Sequence, residues 1–338
     1  MLNERVKWVD NARGFEILVI FSVHFFREEL GETHLLVQLL SMSALTIFYF
    51  SSGYFCNCRF DFRHWLKHHV YTLLLPYLSA SLVLWFVKFI QHDAGLTDRF
   101  IGIFLQLPNT PWEGGRWFVP SFFVAKMVFD FAASRFKEKY SILCMICTGC
   151  AVIAWIYTLM DGPRLPWNIE AAFFAQPFFA MGFGWKHGLE QRYAALPNGK
   201  KAVILSVATV ACLSLGAINQ ILGGRHIDYH SRELNELFTA YGASSCAMFL
   251  ILQISLKNSR LLAFMGRNSL IYYLYGSLVA AVTSRIIIVL RLEHWAVRYF
   301  VGIVGLVLLG IPISLVLNRY FPWAVGKRKL RNMINCKS

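Results

Sequence analysis

Charged side chains are scarce in this sequence. Asp, Glu, Lys and Arg make up 15% of the 338 residues, whereas they make up about a quarter of a typical soluble domain. Hydrophobic residues reach 57%, and the mean hydropathy is +0.49. Because a helix of about 20 apolar residues crosses about 30 Å of hydrocarbon, long uncharged runs are typical of membrane spans. The composition excludes an ordinary soluble domain and predicts an all-α, polytopic integral membrane helix bundle.

The sequence also lacks a cysteine pattern that would indicate a disulfide framework or a metal site. Of the eight cysteines, Cys144, Cys147 and Cys150 lie inside one apolar run, as is typical of small residues in a buried helix. Cys56 and Cys58 flank a predicted cytoplasmic turn, where thiols stay reduced. Neither a disulfide nor a metal ion is predicted.

No internal repeat, low-complexity linker or appended soluble segment is evident. Residues 1–338 are therefore predicted to form a single membrane domain, with a basic tail from about 319 to 338. The first apolar segment contains Glu16 and His24 and is not followed by a small-residue cleavage site, so we predict a retained helix. About ten segments are predicted to span the membrane, at roughly 12–29, 35–56, 69–90, 117–134, 141–160, 169–187, 201–222, 238–256, 268–290 and 296–318.

The basic residues determine the predicted orientation. The net charge is +14, and about two thirds of the 33 Lys and Arg residues fall on one side of the predicted spans. Cytoplasmic loops of membrane proteins carry this excess, so both termini are predicted to be cytoplasmic. Because the basic residues alternate with the spans and no nucleic-acid-binding motif is present, nucleic acid is excluded as a partner.

Polar residues inside the first predicted span need a structural or functional explanation, because burying each one in hydrocarbon costs a few kcal/mol of free energy. Arg13 and His24 are eleven residues apart, so they point to within about 20° of one direction and lie about 16.5 Å apart along the helix. Glu16 flanks this stripe, about 80° from His24.

The side chains of this stripe have chemical properties that suit catalysis. A guanidinium suits phosphate binding, and a neutral imidazole can take a proton from a hydroxyl. Arg13 and His24 are candidate catalytic residues and Glu16 a candidate substrate-binding residue. The alternative is that Arg13 only orients the helix and His24 hydrogen-bonds another helix.

Four stretches stand out in order along the chain. They are Arg13-Gly14 followed by His24, Phe50-Ser51-Ser52-Gly53-Tyr54, Arg116-Trp117-Phe118-Val119, and Gly266-Arg267-Asn268-Ser269-Leu270 with Tyr272. Together they resemble motifs of the membrane-bound acyltransferase 3 family: an Arg and a His separated by ten residues, a motif ending the second helix, the opening of a later helix, and a segment near the ninth helix. The resemblance covers nearly the whole chain.

The resemblance implies an integral membrane O-acyltransferase that moves an acyl group, commonly acetyl, from cytoplasmic acyl-CoA to a saccharide hydroxyl. The implied co-substrate is acetyl-CoA, with no permanently bound cofactor. The implied partners are acyl-CoA, a saccharide or lipid-linked saccharide acceptor, and membrane lipids. The shorter members resemble sugar O-acetylases of bacterial polysaccharide clusters, which implies a location in the bacterial inner (plasma) membrane. Family catalysis depends on the first-helix Arg and His, which correspond to Arg13 and His24.

The chain departs from the family pattern at two points. Many members have a His after the ninth-helix Ser-Leu motif, where this chain has Tyr272, Tyr273 and Tyr275. The acidic Trp-Ser-Leu-x-x-Glu variant of the middle motif is also missing. Both departures concern the acceptor and leave the class unchanged.

Basic residues of the second predicted cytoplasmic loop are candidate ligands for the cofactor. Arg59, Arg63 and Lys67 could bind the phosphates of coenzyme A together with Arg13. Alternatively, they orient the chain and contact anionic lipid headgroups. Ser269 begins a predicted helix on the same side, where backbone N–H groups could bind a phosphate or simply be capped.

Arg116 and Trp117 begin a later span on the predicted outer side. A Trp at this depth is commonly an interfacial anchor, but an Arg beside it could bind an acidic sugar or a carrier-lipid phosphate. Both are candidate substrate-binding residues. The polar outer segment 223–237 either binds acceptor hydroxyls or forms an ordinary solvated loop. Lys126 and Asp130, four residues apart within the span, are predicted to neutralise each other.

Two other functions fit a membrane protein with polar residues in its spans. A saccharide-lipid transporter or flippase would line its path with such residues, but transporters often carry internal repeats and paired helices broken at Gly or Pro, and neither is evident here. A polysaccharide polymerase would be expected to have a larger outer loop, rich in Arg and His, than 223–237. The acyltransferase is the prediction, with the transporter as its alternative.

Overall fold

The computed structural model describes residues 6–31, 34–92, 95–107, 110, 116–222, 234–257 and 259–327. This part of the chain is helical and contains no β-strand. The α-helices are α1 (Lys7–Leu30), α2 (Leu35–Ser43), α3 (Thr46–Tyr54), α4 (Phe62–His69), α5 (Leu75–Ile90), α6 (Leu96–Leu105), α7 (Phe118–Phe136), α8 (Tyr140–Leu159), α9 (Ile169–Phe174), α10 (Gln176–Gly184), α11 (Glu190–Ala194), α12 (Asn198–Ile221), α13 (Leu234–Ser255), α14 (Arg260–Arg267), α15 (Ser269–Val289) and α16 (Trp295–Tyr320). Two π-helical turns, Val70–Leu74 and Trp185–Leu189, continue α4 into α5 and α10 into α11.

The membrane class is confirmed by the length and composition of these helices. Seven helical stretches of the described part are long and apolar enough to cross a bilayer: Leu35–Tyr54, Phe62–Ile90, Tyr140–Leu159, Asn198–Ile221, Leu237–Ser255, Ser269–Val289 and Trp295–Tyr320. The other predicted spans fall on α1 and α7, which carry charged residues, and on the interrupted α9–α10 stretch. The count of ten spans and the cytoplasmic termini stay predictions.

Contacts divide the chain into two compact units. The first comprises Met1–Arg59, Ala125–Pro163 and Glu170–Arg267; the second comprises Phe60–Val124, Arg164–Ile169 and Asn268–Ser338. The prediction of one membrane domain over residues 1–338 stays a prediction.

In the first unit, α1 is a continuous helix of 24 residues. Asp10 in its first turn and Arg27 in its last turn both complement the helix dipole. The helix ends at Gly31, which adopts φ 85° and donates its N–H to the carbonyl of Arg27. A positive φ is open to glycine without a Cβ penalty, so Gly31 fixes the end of the helix.

The second predicted span is broken in the structure. α2 ends at Ser43 and α3 begins at Thr46, and Leu45 between them adopts the left-handed conformation at φ 73°, which costs a non-glycine residue about 1–2 kcal/mol. The fully buried Glu16 directs its carboxylate at the backbone N–H groups of Leu45, Thr46 and Ile47. Because a helix N-terminus carries partial positive charge, this carboxylate stabilises the start of α3 and offsets the strain.

Two pairs of helices in the first unit cross at glycines. A Cβ on Gly14 of α1 would overlap the carbonyl of Leu262 in α14, and a Cβ on Gly266 of α14 would overlap the carbonyl of Asp10 in α1. α3 and α10 cross in the same reciprocal way, through Gly53 and Gly182. Membrane helices use small residues to approach closely, so these crossings fix the positions of α1 and α3.

In the second unit, α4 begins at Asp61, whose side chain accepts hydrogen bonds from the backbone N–H groups of Arg63 (3.0 Å) and His64 (3.3 Å). The helix α6 follows α5 along the chain and packs on it. α15 packs against α16, where the ring of Tyr272 fills the space that Gly310 leaves.

The predicted pair within α7 is confirmed, since Nζ of Lys126 lies 2.9 Å from a carboxylate oxygen of Asp130. We expect Lys126→Leu to destabilise the protein by about 3 kcal/mol, because a mostly buried carboxylate then loses its ion pair. The double variant Lys126→Leu/Asp130→Leu should recover most of that loss. Thermal unfolding in detergent measures both, and equal stability of the two variants would contradict the expected coupling.

Candidate active site

Arg13 is held at the first unit's α1–α3 contact. Its Nε donates a 3.0 Å hydrogen bond to Oγ of Ser51, and that hydroxyl donates in turn to the carbonyl of Phe48, one turn earlier in α3. Ser51 is buried and Arg13 is half-buried. The guanidinium is therefore oriented by α3, and the bond joins two of the motif stretches identified in the sequence.

His24 lies on the same helix as Arg13, three quarters of the way along α1. Because α1 is continuous from Lys7 to Leu30, the stripe predicted for Arg13 and His24 is present, with about 16.5 Å between them along the axis. The His24 side chain is exposed, and its ring makes no hydrogen bond to a described residue. A neutral imidazole can accept a proton from a substrate hydroxyl.

Glu16 is placed differently from the other two residues of this stripe. It is fully buried, and neither carboxylate oxygen makes a hydrogen bond of ordinary geometry to a described residue, although both face the start of α3. The contact of its carboxylate with the start of α3 gives Glu16 a structural role. Its role in substrate binding stays a prediction.

The candidate cofactor ligands are divided between the units. Arg59 is exposed in the first unit, just beyond α3. Arg63 and Lys67 belong to the second unit, where they lie four residues apart on one exposed face of α4. Ser269 begins α15 in the same unit. The preceding Asn268 accepts hydrogen bonds of 2.9 Å from Asn318 and from Lys327.

Arg116 lies in a polar cluster of the second unit. Its Nε donates to the carbonyl of Leu274 at 3.3 Å, and its Nη2 donates to Oγ of Ser277 at 3.2 Å. Burial lowers the pKa of Arg116, whereas the hydroxyl groups of Tyr273, Tyr77 and Tyr275 act in the opposite direction. Arg stays protonated at any working pH, so a partly buried positive charge lies beside the N-terminal half of α15. Trp117 is half-buried beside Phe118, with ring centroids 6.4 Å apart.

Gln106 is a member of this cluster that the sequence analysis missed. It is fully buried at the C-terminus of α6, accepts the backbone N–H of Arg116 at 3.4 Å, and donates from Nε2 to the hydroxyl of Tyr77. That hydroxyl donates to the carbonyl of Ile103. The sequence signal that could have identified Gln106 is that it is a polar residue after the otherwise apolar end of α6. The outer-loop candidates in 223–233 lie outside the described residues.

Together, the fold and this geometry define a class: a polytopic membrane protein whose first helix carries a basic anchor and an accessible imidazole on one stripe. The model of the acyltransferase 3 family, described as an acyltransferase domain, matches residues 6–319. The chain therefore belongs to the acyltransferase 3 family, and it is a membrane acyltransferase. No curated protein and no solved structure matches it. The resemblance drawn from the four stretches is confirmed.

The Arg13–Ser51 bond can be tested on its own. Ser51→Ala removes the acceptor of a charged donor, and such bonds contribute about 1.5–3 kcal/mol, so we expect the KM for the acyl donor to rise about tenfold. The kcat should be little changed, because His24 is untouched. Ser52→Ala is the matched control, since Ser52 is also buried in α3. Equal KM values for the two variants would contradict an orienting role for Ser51.

Proposed function

We propose that this acyltransferase moves an acetyl group from cytoplasmic acetyl-CoA to a hydroxyl of an envelope or exported saccharide in the bacterial inner membrane. The observation that carries the proposal is the pair on α1: Arg13 oriented by Ser51 near one end, and the accessible His24 about 16.5 Å away on the same stripe. An extended pantetheine arm can bridge such a distance. The donor's phosphates would then lie near Arg13 and its thioester near His24.

In the proposed reaction His24 is the general base. Its neutral imidazole takes the proton of the acceptor hydroxyl, and the oxygen attacks the thioester carbonyl. The C–S bond then breaks, the acetyl group stays on the acceptor oxygen, and the departing CoA thiolate takes the proton from the imidazolium. Protein and lipid around the helices exclude water, so hydrolysis of the thioester is suppressed.

The acceptor is proposed to contact Arg116 and Trp117, on the predicted outer side. The partly buried charge of Arg116, with Ser277 and the tyrosine hydroxyl groups beside it, suits an acidic sugar or the phosphate of a carrier lipid. The indole of Trp117 offers an apolar face to a sugar ring. An acidic or lipid-linked saccharide is therefore the acceptor class that we propose.

One observation favours the alternative of a saccharide-lipid transporter. The break at Leu45 gives a discontinuous membrane helix, which is common in transporters and which the sequence, with no Gly or Pro at 44–45, did not predict. In transporters the N-terminus of such a half-helix points at the substrate. Here it faces the carboxylate of Glu16, a group of the protein itself. Family membership also favours the acyltransferase.

The test is release of CoA from acetyl-CoA by the purified protein, with an envelope-saccharide extract as acceptor. Wild type should release CoA only when the acceptor is present. Arg13→Ala should raise the KM for acetyl-CoA by about tenfold or more. Arg13→Lys should raise it less, because lysine keeps the positive charge but lacks the planar guanidinium that can donate two parallel hydrogen bonds. Arg260→Ala, an exposed arginine of the same unit, is the control. Absence of binding or turnover with acetyl-CoA and with longer acyl-CoAs would make the transporter the leading function.

A further inference from the structure

α3 carries two cationic side chains on one face. Ser51 and Tyr54 are three residues apart and therefore neighbours on the helix surface. Arg13 bonds Ser51, and Nζ of Lys186 lies 5.5 Å from the centre of the Tyr54 ring. Ser51 and Tyr54, which hold the two cations, lie about 4.5 Å apart along the axis of α3. Arg13 and Lys186 are therefore both anchored to one face of α3, where the phosphate groups of one ligand can meet both.

Lys186 is held in this position by its surroundings. It lies on the π-helical turn Trp185–Leu189, and such turns are frequent at functional sites. The ring beneath it is fixed, since the Tyr54 hydroxyl donates a 2.8 Å hydrogen bond to Glu190 and the edge of Trp8 packs on it at 5.1 Å. A cation over an aromatic ring is attracted to it, so the exposed Lys186 keeps its charge at α3.

Two further cations lie beside the turn that follows α3. Burial raises the pKa of the Cys58 thiol and the charge of Asp130 acts in the same direction, whereas a hydrogen bond with Cys56 and the charges of Lys137 and Lys186 act in the opposite direction. Arg59 is the next residue along the chain. Lys137, Lys186 and Arg59 are all exposed. We call these three residues and Arg13, all of the first unit, the α3 basic cluster; Asp130 and Glu190 are its carboxylate neighbours.

We propose that Lys186, which is held over the Tyr54 ring at α3, binds a phosphate group of the acyl donor, and that Lys137 of the α3 basic cluster assists it. The inference rests on the proposed function, because it takes acyl-CoA to be the donor. Coenzyme A carries a diphosphate and a 3′-phosphate, and a cluster of four cations complements that charge. The sequence analysis used these two lysines only for orientation. A lipid phosphate headgroup has the same chemistry, so the experiment must separate the two sources.

The experiment measures binding of CoA, and of dephospho-CoA, to the full chain in nanodiscs of neutral phosphatidylcholine. Lys186→Gln and Lys137→Gln should each weaken CoA binding about tenfold, the effect of losing one charge-assisted hydrogen bond. Lys201→Gln is the matched control, because Lys201 also lies over a ring, that of Tyr193 at 5.8 Å, and it should bind CoA like wild type. A defect seen with CoA and absent with dephospho-CoA would assign the lysine to the 3′-phosphate.

The direction in which Glu190→Gln changes the CoA affinity tests whether the cluster binds CoA by electrostatic attraction. Glu190→Gln removes a negative charge beside Lys186 and keeps an acceptor for Tyr54, so CoA should bind more tightly, by about twofold. Unchanged CoA affinity in both lysine variants would overturn the inference. A wild-type CoA affinity that falls when the nanodiscs contain anionic phosphatidylglycerol, with no such fall in the lysine variants, would show that lipid phosphates compete for the same cluster. Failure of the wild type to bind any acyl-CoA would instead overturn the proposed function.

Discussion

His24→Ala is expected to lower the kcat of acetyl transfer by about 10²–10⁴-fold, the factor that a general base contributes. The side chain is exposed, so its removal leaves no buried cavity and the variant should fold. Arg13 and its bond to Ser51 are unchanged, so the KM for acetyl-CoA should stay within about twofold of wild type. Steady-state release of CoA in lipid nanodiscs, at several acetyl-CoA concentrations, separates the two parameters.

The control for His24 is another exposed histidine. His92→Asn keeps a residue that tolerates the left-handed conformation of this position, at φ 54°, and it should retain full activity. His24→Gln should resemble His24→Ala, because an amide can hydrogen-bond the hydroxyl and cannot take its proton. The wild-type dependence of kcat on pH should show an ionisation that both His24 variants lose. Turnover near the wild-type level in His24→Ala would show that another group is the base.

Features that depend on local pattern were predictable from the sequence. Each of the ten predicted apolar segments falls on helical structure, because length and hydrophobicity determine a membrane helix with little help from its neighbours. The shared stripe of Arg13 and His24 follows from helix geometry alone. The Lys126–Asp130 pair follows from a spacing of four residues.

Features that depend on tertiary contacts were not predictable. The break at Leu45 has no Gly or Pro to mark it, because the strain is offset by Glu16 from a different helix. Ser51 resembles any small residue of a membrane helix until α1 is packed on α3 and brings Arg13 to it. Lys186 resembles an ordinary lysine at the end of a predicted span until the π-helical turn places it over the Tyr54 ring. In each case the partner lies far away in the sequence.

Gly266→Ala is expected to cause a large loss of stability. The new Cβ would overlap the main-chain carbonyl of Asp10, which cannot move aside as a flexible side chain would, so α14 and α1 must separate. Overpacking costs about 1–3 kcal/mol, and a backbone clash belongs at the upper end of that range. Thermal unfolding in detergent measures the loss. Because α1 carries Arg13 and His24, the protein that remains folded should also turn over acetyl-CoA more slowly.

The matched control is Gly149→Ala in the middle of α8, where an added Cβ meets no atom within 4 Å. Alanine lowers the conformational entropy of the unfolded chain at such a site, so this variant should be more stable than wild type by about 0.5–1 kcal/mol and fully active. The two substitutions are chemically identical, and only the packing around them differs. Equal stability of the two variants would show that α1 and α14 can separate at little cost. In that case the glycine crossing would not be what holds Arg13 against Ser51.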